Sequence, residues 1–149
     1  MRLNWYLEPW KKYADFEGRA RRTELITFGL INLLVYAVLY IGFLICDSHL
    51  GHPLDTIGVV DYTAQDRLFA SLEWACMIAL VALWLAAFIP MLSCGVRRLH
   101  DSGKSGWLYL IGLIPFIGGL ILFVLLLLNG DPGENKFGRN PRDGGEPAG

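Results

Sequence analysis

The sequence lacks most of the residue patterns that build catalytic or metal centres. Its 149 residues include only three cysteines, with no Cys-x-x-Cys pair, so zinc and dithiol redox motifs are missing. Thirteen basic and fourteen acidic residues nearly cancel, which argues against nucleic acid as a partner. We expect no secretory signal, because the first apolar run begins only at Leu25, behind a charged segment, and has no small-residue cleavage site.

Apolar residues are abundant, at 54% of the chain, and they are gathered in three blocks. Residues 25–46, 74–96 and 107–128 contain no charged side chain. A helix of about 22 residues covers roughly 33 Å, enough for a hydrocarbon core near 30 Å. We therefore predict an all-α, polytopic membrane protein with three transmembrane helices. Residues 1–141 form a single helical membrane domain, and residues 142–149 form a disordered tail.

The third run contains a break, Ile114-Pro115-Phe116-Ile117-Gly118-Gly119. One interpretation is a single kinked span, which we favour. The other is a re-entrant hairpin that turns at 115–119. Each arm would have about ten residues, or roughly 15 Å, and is too short to cross the bilayer.

An aromatic segment precedes the first run. Trp10, Tyr13 and Phe16 recur at roughly helical spacing after Pro9, which is tolerated in a first helical turn. Such rings favour the membrane–water interface. We predict an amphipathic interfacial helix over Pro9–Phe16, with an ordinary soluble helix as the alternative, and a break at Gly18.

Loop charge predicts the orientation. The segment before Leu25 is basic near the membrane, the loop 47–73 is acid-rich, and residues 97–107 carry three fixed positive charges against Asp101. Because basic loops stay cytoplasmic, we predict a cytoplasmic N-terminus in a bacterial inner (plasma) membrane. Three spans would then place the tail outside.

Two possible covalent or metal features are weak. His49 and His52 with Asp47 are poor grounds for a metal site in a flexible loop, so no metal or cofactor is expected. Cys46 and Cys76 lie near the same face in this topology and could form a disulfide, although buried free thiols are the simpler interpretation.

The polar island 97–107 separates the second and third apolar runs. It can be a positive-inside loop in which Ser105 caps the next helix and Trp107 anchors it at the interface. Alternatively, it meets the 16–24 segment, and arginines cross-pair with Glu24 and Asp101 to form a polar pocket. The candidate inner-face polar cluster consists of Arg19, Arg22, Glu24, Arg97, Arg98, His100, Asp101, Ser105 and Trp107.

Three segments resemble motifs of the domain-of-unknown-function 805 family, which consists of small bacterial inner-membrane proteins. They are Phe16–Glu24, Arg97–Trp107, and the stretch from Asn129-Gly130 through Gly133, Asn135, Phe137 and Gly138. The likeness covers about residues 4–141, and the island is its most specific part. The resemblance implies fold and location rather than an activity.

Three functions stay open. The first is a non-enzymatic scaffold or regulator whose basic cytoplasmic face binds anionic lipid headgroups or partner proteins, either another membrane protein or another copy of the chain. The second is an oligomeric transporter or channel subunit for a small solute or ion, a class that usually has ionisable groups or broken helices within the membrane. The third is a lipid-modifying enzyme using His100 and Asp101, which lacks an accompanying nucleophile or metal set. We favour the first.

Overall fold

The computed structural model describes residues 4–50 and 64–141, and within these ranges the chain is helical, with no β-strand. The helices are α1 (Asn4–Lys11), α2 (Arg22–Leu50), α3 (Ala64–Asp101), a 3-10 helix (Gly106–Leu113) and α4 (Gly118–Leu127). Of these, α2 and α3 are long and apolar enough to cross a membrane. Only 11% of the most apolar window of each is buried, as expected for helices that face lipid rather than a protein core.

Helix α2 contains the predicted span 25–46, and helix α3 contains the predicted span 74–96. Both helices extend beyond these spans. At its end, α3 continues through charged residues because these residues find partners inside the protein. The helix then stops in a Schellman motif, in which Lys104 N–H donates to Leu99 O at 3.0 Å and Gly103 N–H to His100 O at 3.0 Å. Gly103 has φ +68°, which is the left-handed conformation that this motif requires.

The third apolar run is not one helix, so the prediction of three transmembrane helices is not confirmed. The 3-10 helix and α4 pack against each other as two short arms. Pro115 cannot continue a helix, and Phe116 takes φ +66° at the turn. Glycine permits the close packing, since a Cβ on Gly118 would lie 1.9 Å from the carbonyl oxygen of Ile111. The alternative hairpin is therefore the conformation observed.

The described residues group into two compact units, one of them formed by residues 32–87. In this unit the two long helices run side by side: a Cβ on Gly42 would lie 3.6 Å from Cys76 Sγ, and His49 stacks on Phe69 with ring centroids 4.6 Å apart. Cys46 and Cys76 are free thiols, as is Cys94 elsewhere, so the possible disulfide is not formed.

The weak metal hypothesis finds no support in the described part of the chain. His52 lies outside the described residues. Among the residues that are described, no group of three His, Cys, Asp or Glu side chains could hold a metal ion.

The other unit contains residues 1–31 and 88–149, and its N-terminal helix differs from the predicted Pro9–Phe16. Helix α1 begins earlier, at Asn4, because Tyr6 and Trp10 pack on Phe28 with centroid distances of 5.6 and 5.7 Å. It ends at Lys11, before a local turn in which Glu17 N–H donates to Asp15 Oδ1 at 3.0 Å.

Gly18 then redirects the chain, as the break predicted there requires. Its φ is +76°, a left-handed conformation that glycine adopts without steric cost. The chain next passes α3, where Ala20 N–H donates to Arg97 O at 3.1 Å. This bond brings the first motif to the end of α3.

Candidate functional site

Asp101 is the anion around which two of the three motif segments meet. It lies in the last turn of α3, and its carboxylate accepts from Arg19 Nε at 2.9 Å through Oδ1 and from Arg98 Nη1 through Oδ2. Arg98 precedes it by three residues and therefore shares its helix face. All three side chains are almost completely buried, with 0–2% of each exposed. Pairing of Asp101 with arginines of the first motif and of the island belongs to the second interpretation of the island.

A second ion pair connects the same elements. Arg97 Nη1 lies 3.3 Å from Glu24 Oε1, and the Arg97 side chain is 1% exposed. Glu24 lies in the first turn of α2, where a carboxylate also suits the positive end of the helix dipole. Together these five residues form what we call the arginine–carboxylate cluster: Arg19, Glu24, Arg97, Arg98 and Asp101.

Backbone carbonyls in the segment after the hairpin accept further hydrogen bonds from the Arg19 guanidinium. Nη2 of Arg19 donates to Asp131 O at 2.7 Å, and Nη1 donates to Gly133 O and to Gly138 O. Asp131 N–H in turn donates to Asp101 O at 2.8 Å. This guanidinium therefore binds three separate segments at once.

The C-terminal end of α4 is held by arginines in the same way. Arg98 donates to Leu126 O at 3.0 Å and to Leu128 O, and Arg22 Nε also donates to Leu128 O at 3.0 Å. Arg22 additionally contacts Asn129 Oδ1, and Arg21 donates to Pro141 O at 2.7 Å. Arg22 was predicted to pair with Glu24 or Asp101, but the structure gives it these uncharged acceptors.

The third motif contributes side chains that the sequence-based site did not include. Asn135 Nδ2 donates to His100 O and to Asp131 Oδ2, both at 2.9 Å. A Cβ on Gly130 would lie 1.9 Å from Asp101 Oδ2, so only glycine fits there. The clustering of Gly, Asp and Asn in this segment is the sequence signal that could have identified it.

His100, Ser105 and Trp107 are not part of the arginine–carboxylate cluster. They line a mainly apolar cavity of about 540 Å³ between the end of α3 and the 3-10 helix. The His100 ring stacks on Phe137 with centroids 3.8 Å apart and planes 5° apart. Ser105 precedes the 3-10 helix but makes no side-chain capping hydrogen bond, which corrects its predicted role as a cap.

A second, more polar cavity of about 370 Å³ adjoins the first. Both cavities are lined by Phe16, His100 and Phe137, and Glu17 and Lys136 line only the second. Lys136 Nζ lies 4.9 Å from the centroid of the Phe137 ring, a cation–π distance.

The nine candidate residues thus separate into two groups with different chemistry. The five cluster residues and Arg22 bind one another and backbone carbonyls, and they hold the chain ends of α2, α3 and the hairpin together. The side chains of Arg19, Arg97 and Arg98 are buried, so these three arginines do not form an open basic face. His100, Ser105 and Trp107 instead surround space that a ligand can enter.

Two helices that are long and apolar enough to cross a membrane are the features of a helical integral membrane protein. Residues 13–139 match the family described as "Protein of unknown function (DUF805)", and the chain belongs to this family. It is 35% identical over 142 residues to the inner membrane protein YhaI of Escherichia coli K12, covering 95% of this chain and 98% of YhaI. It is also 35% identical over 140 residues to the inner membrane protein YhaH of the same organism, covering 94% and 98%. No solved structure matches the chain.

Proposed function

We propose that this protein is a non-enzymatic scaffold or regulator of the bacterial inner membrane that binds lipid headgroups or partner proteins at its cytoplasmic end. The observation that carries the proposal is the arginine–carboxylate cluster, which fixes three sequence motifs in one buried arrangement. Buried ion pairs and hydrogen bonds that join separate segments give a surface a defined shape. The cluster therefore supports a rigid platform. Because the cluster arginines are buried, they are not available to donate hydrogen bonds to lipid phosphates.

The proposed topology has the N-terminus and residues 129–141 on the same, cytoplasmic side. The motif arginines and the island supply the positive-inside signal. The end of the hairpin contacts Arg22 and Arg98, so it returns to the level at which it began. Helices α2 and α3 cross the membrane, and the hairpin enters it without crossing.

The hairpin also gives the transporter or channel hypothesis one specific observation in its favour. Broken, re-entrant segments line solute paths in several transporter and channel classes. Here, however, the exposed residues of the hairpin are apolar, including Leu113, Phe116 and Leu120. Such a surface suits contact with lipid better than the lining of an aqueous path.

Reconstitution separates these functions. Purified protein in vesicles of mixed bacterial phospholipids is tested for solute and ion flux, and the phospholipids and proteins that it retains from native membranes are identified by crosslinking and mass spectrometry. A scaffold retains phospholipid or a protein partner and gives no flux above protein-free vesicles. Flux that depends on the protein, or chemical turnover of the lipid, would overturn the proposal.

A further inference from the structure

The two adjoining cavities have the chemistry of the two ends of an amphiphile. The larger cavity is bounded by apolar side chains of α3 and the 3-10 helix, among them Leu92, Val96 and Leu110. Its volume of about 540 Å³ lies within the common range of ligand pockets, about 300–1,000 Å³. Leu110 is 52% exposed and the neighbouring Trp107 is 80% exposed, so the cavity is accessible to a lipid acyl chain at these two residues.

The smaller cavity carries one fixed charge of each sign. Lys136 supplies a cation and Glu17 a carboxylate, and both residues are exposed. The arginines nearby are not available as further cations, because Arg19 and Arg98 are buried against Asp101 and backbone carbonyls. Charge complementarity therefore favours a headgroup that carries one anion and one cation, rather than a purely anionic one.

His100 and Phe137 form the boundary between the two cavities. Their parallel stack lines both, and it is fixed from behind by Asn135, which bonds His100 O and whose Oδ1 accepts from Phe137 N–H at 2.9 Å. A flat aromatic wall of this kind gives an acyl chain an apolar surface and leaves the polar cavity open at its edge.

We propose that this cavity pair binds one membrane phospholipid with a phosphoethanolamine headgroup. One acyl chain occupies the apolar cavity, the phosphate contacts Lys136, and the primary ammonium contacts Glu17. This inference deepens the proposed function and rests on it, since the cavity must lie at the level of the lipid headgroups.

Native mass spectrometry in mild detergent tests the proposal with three lipids of matched chains: phosphatidylethanolamine, phosphatidylcholine and phosphatidylglycerol. The choline ammonium cannot donate a hydrogen bond to Glu17, and the glycerol headgroup has no cation. We expect one phosphatidylethanolamine molecule to be retained at lower concentration than either competitor. Lys136→Gln should weaken its binding about tenfold, the loss expected for a charge-assisted hydrogen bond.

Matched variants separate the site from general surface charge. Lys104→Gln and Glu134→Gln remove a cation and an anion that line neither cavity, and they should leave lipid retention unchanged. Glu17→Gln should abolish the preference for phosphatidylethanolamine over phosphatidylglycerol. Leu110→Trp should block the apolar cavity, whereas Leu113→Trp, at a residue that is 78% exposed and outside it, should not.

The outcomes distinguish this inference from the proposed function. Equal retention of the three lipids, or equal effects of the site and control variants, means that only the ordinary lipid annulus is bound, and it overturns the inference alone. Retention of neither phospholipid nor a protein partner overturns both. Each variant is checked by thermal unfolding, so that a folding defect is not counted as lost binding.

Discussion

Neutralising Asp101 should destabilise the protein more than neutralising any other carboxylate in the unit that contains the arginine–carboxylate cluster. In Asp101→Asn the side chain keeps its size but loses the charge that balances Arg19 and Arg98. Its amide group also brings two N–H donors next to two guanidinium groups, which are themselves donors only. Two buried cations are then left without their shared anion.

The expected loss follows from the burial of the three side chains, which are 0–2% exposed. Breaking a buried ion pair by removing one partner costs roughly 3–5 kcal/mol. For a chain of this length, each kcal/mol corresponds to about 2–4 °C in Tm, so Tm should fall by roughly 6–20 °C. Glu134→Gln, at an exposed carboxylate with no ion pair among the described residues, should change Tm little.

A thiol-reactive dye gives a direct measurement in detergent. Cys94 is fully buried against Ala20 and Leu25, so it reacts only when the packing at this end opens. In a background with Cys46→Ser and Cys76→Ser, labelling during a temperature ramp reports this event alone.

A double-mutant cycle tests the reasoning itself. Arg19→Gln combined with Asp101→Asn should be less destabilising than the sum of the two single changes, by about 0.5–3 kcal/mol. Strict additivity, or a Tm for Asp101→Asn equal within error to that of Glu134→Gln, would show that the cluster does not hold the ends of α2, α3 and the hairpin together.

Two further predictions concern thermal stability, and a third concerns topology. Gly130→Ala should cost about 1–3 kcal/mol because its Cβ would lie 1.9 Å from the cluster carboxylate, whereas Gly133→Ala meets nothing within 4 Å and should be neutral; equal Tm values would contradict the close packing. Phe116→Gly should be more stable than Phe116→Ala by about 1 kcal/mol, because glycine relieves the backbone strain at φ +66° by more than its larger loss of chain entropy, and the reverse order would argue against this turn. Single cysteines at Lys11 and Glu134 should both react with an impermeant maleimide from the cytoplasmic side. Labelling of the two from opposite sides would instead show that residues 107–128 cross the membrane.

The two long helices could be predicted from the sequence because lipid imposes a simple length requirement on uncharged runs. Their ends could not, since α3 continues through Arg97, Arg98 and Asp101 only where other segments supply partners. The single kinked span that we favoured was not found, for a similar reason. A run of this length with a proline fits a kinked span or two arms, and contacts far along the chain decide between them.

The ion pairs of the candidate site could be anticipated from charge, since basic and acidic residues recur in the two segments. The acceptors for the surplus positive charge could not, because Leu126, Leu128 and Gly133 act through backbone carbonyls, which leave no mark on residue type. The cavities were likewise invisible to sequence reasoning, as His100 and Phe137 are 37 positions apart in this numbering and meet only in the folded chain.

The balance of charge explains why the third run folds back into a hairpin. The cluster holds three arginines but only two carboxylates, so one positive charge needs other acceptors. Helix α4 ends with unsatisfied carbonyls and the negative end of its dipole, and Arg98 and Arg22 bind those carbonyls. A ten-residue helix is marginal alone, and these arginines both stabilise it and hold its end beside α3. The arginines that the sequence analysis takes as an orientation signal therefore also hold the hairpin in place, and Arg98 is buried in this role.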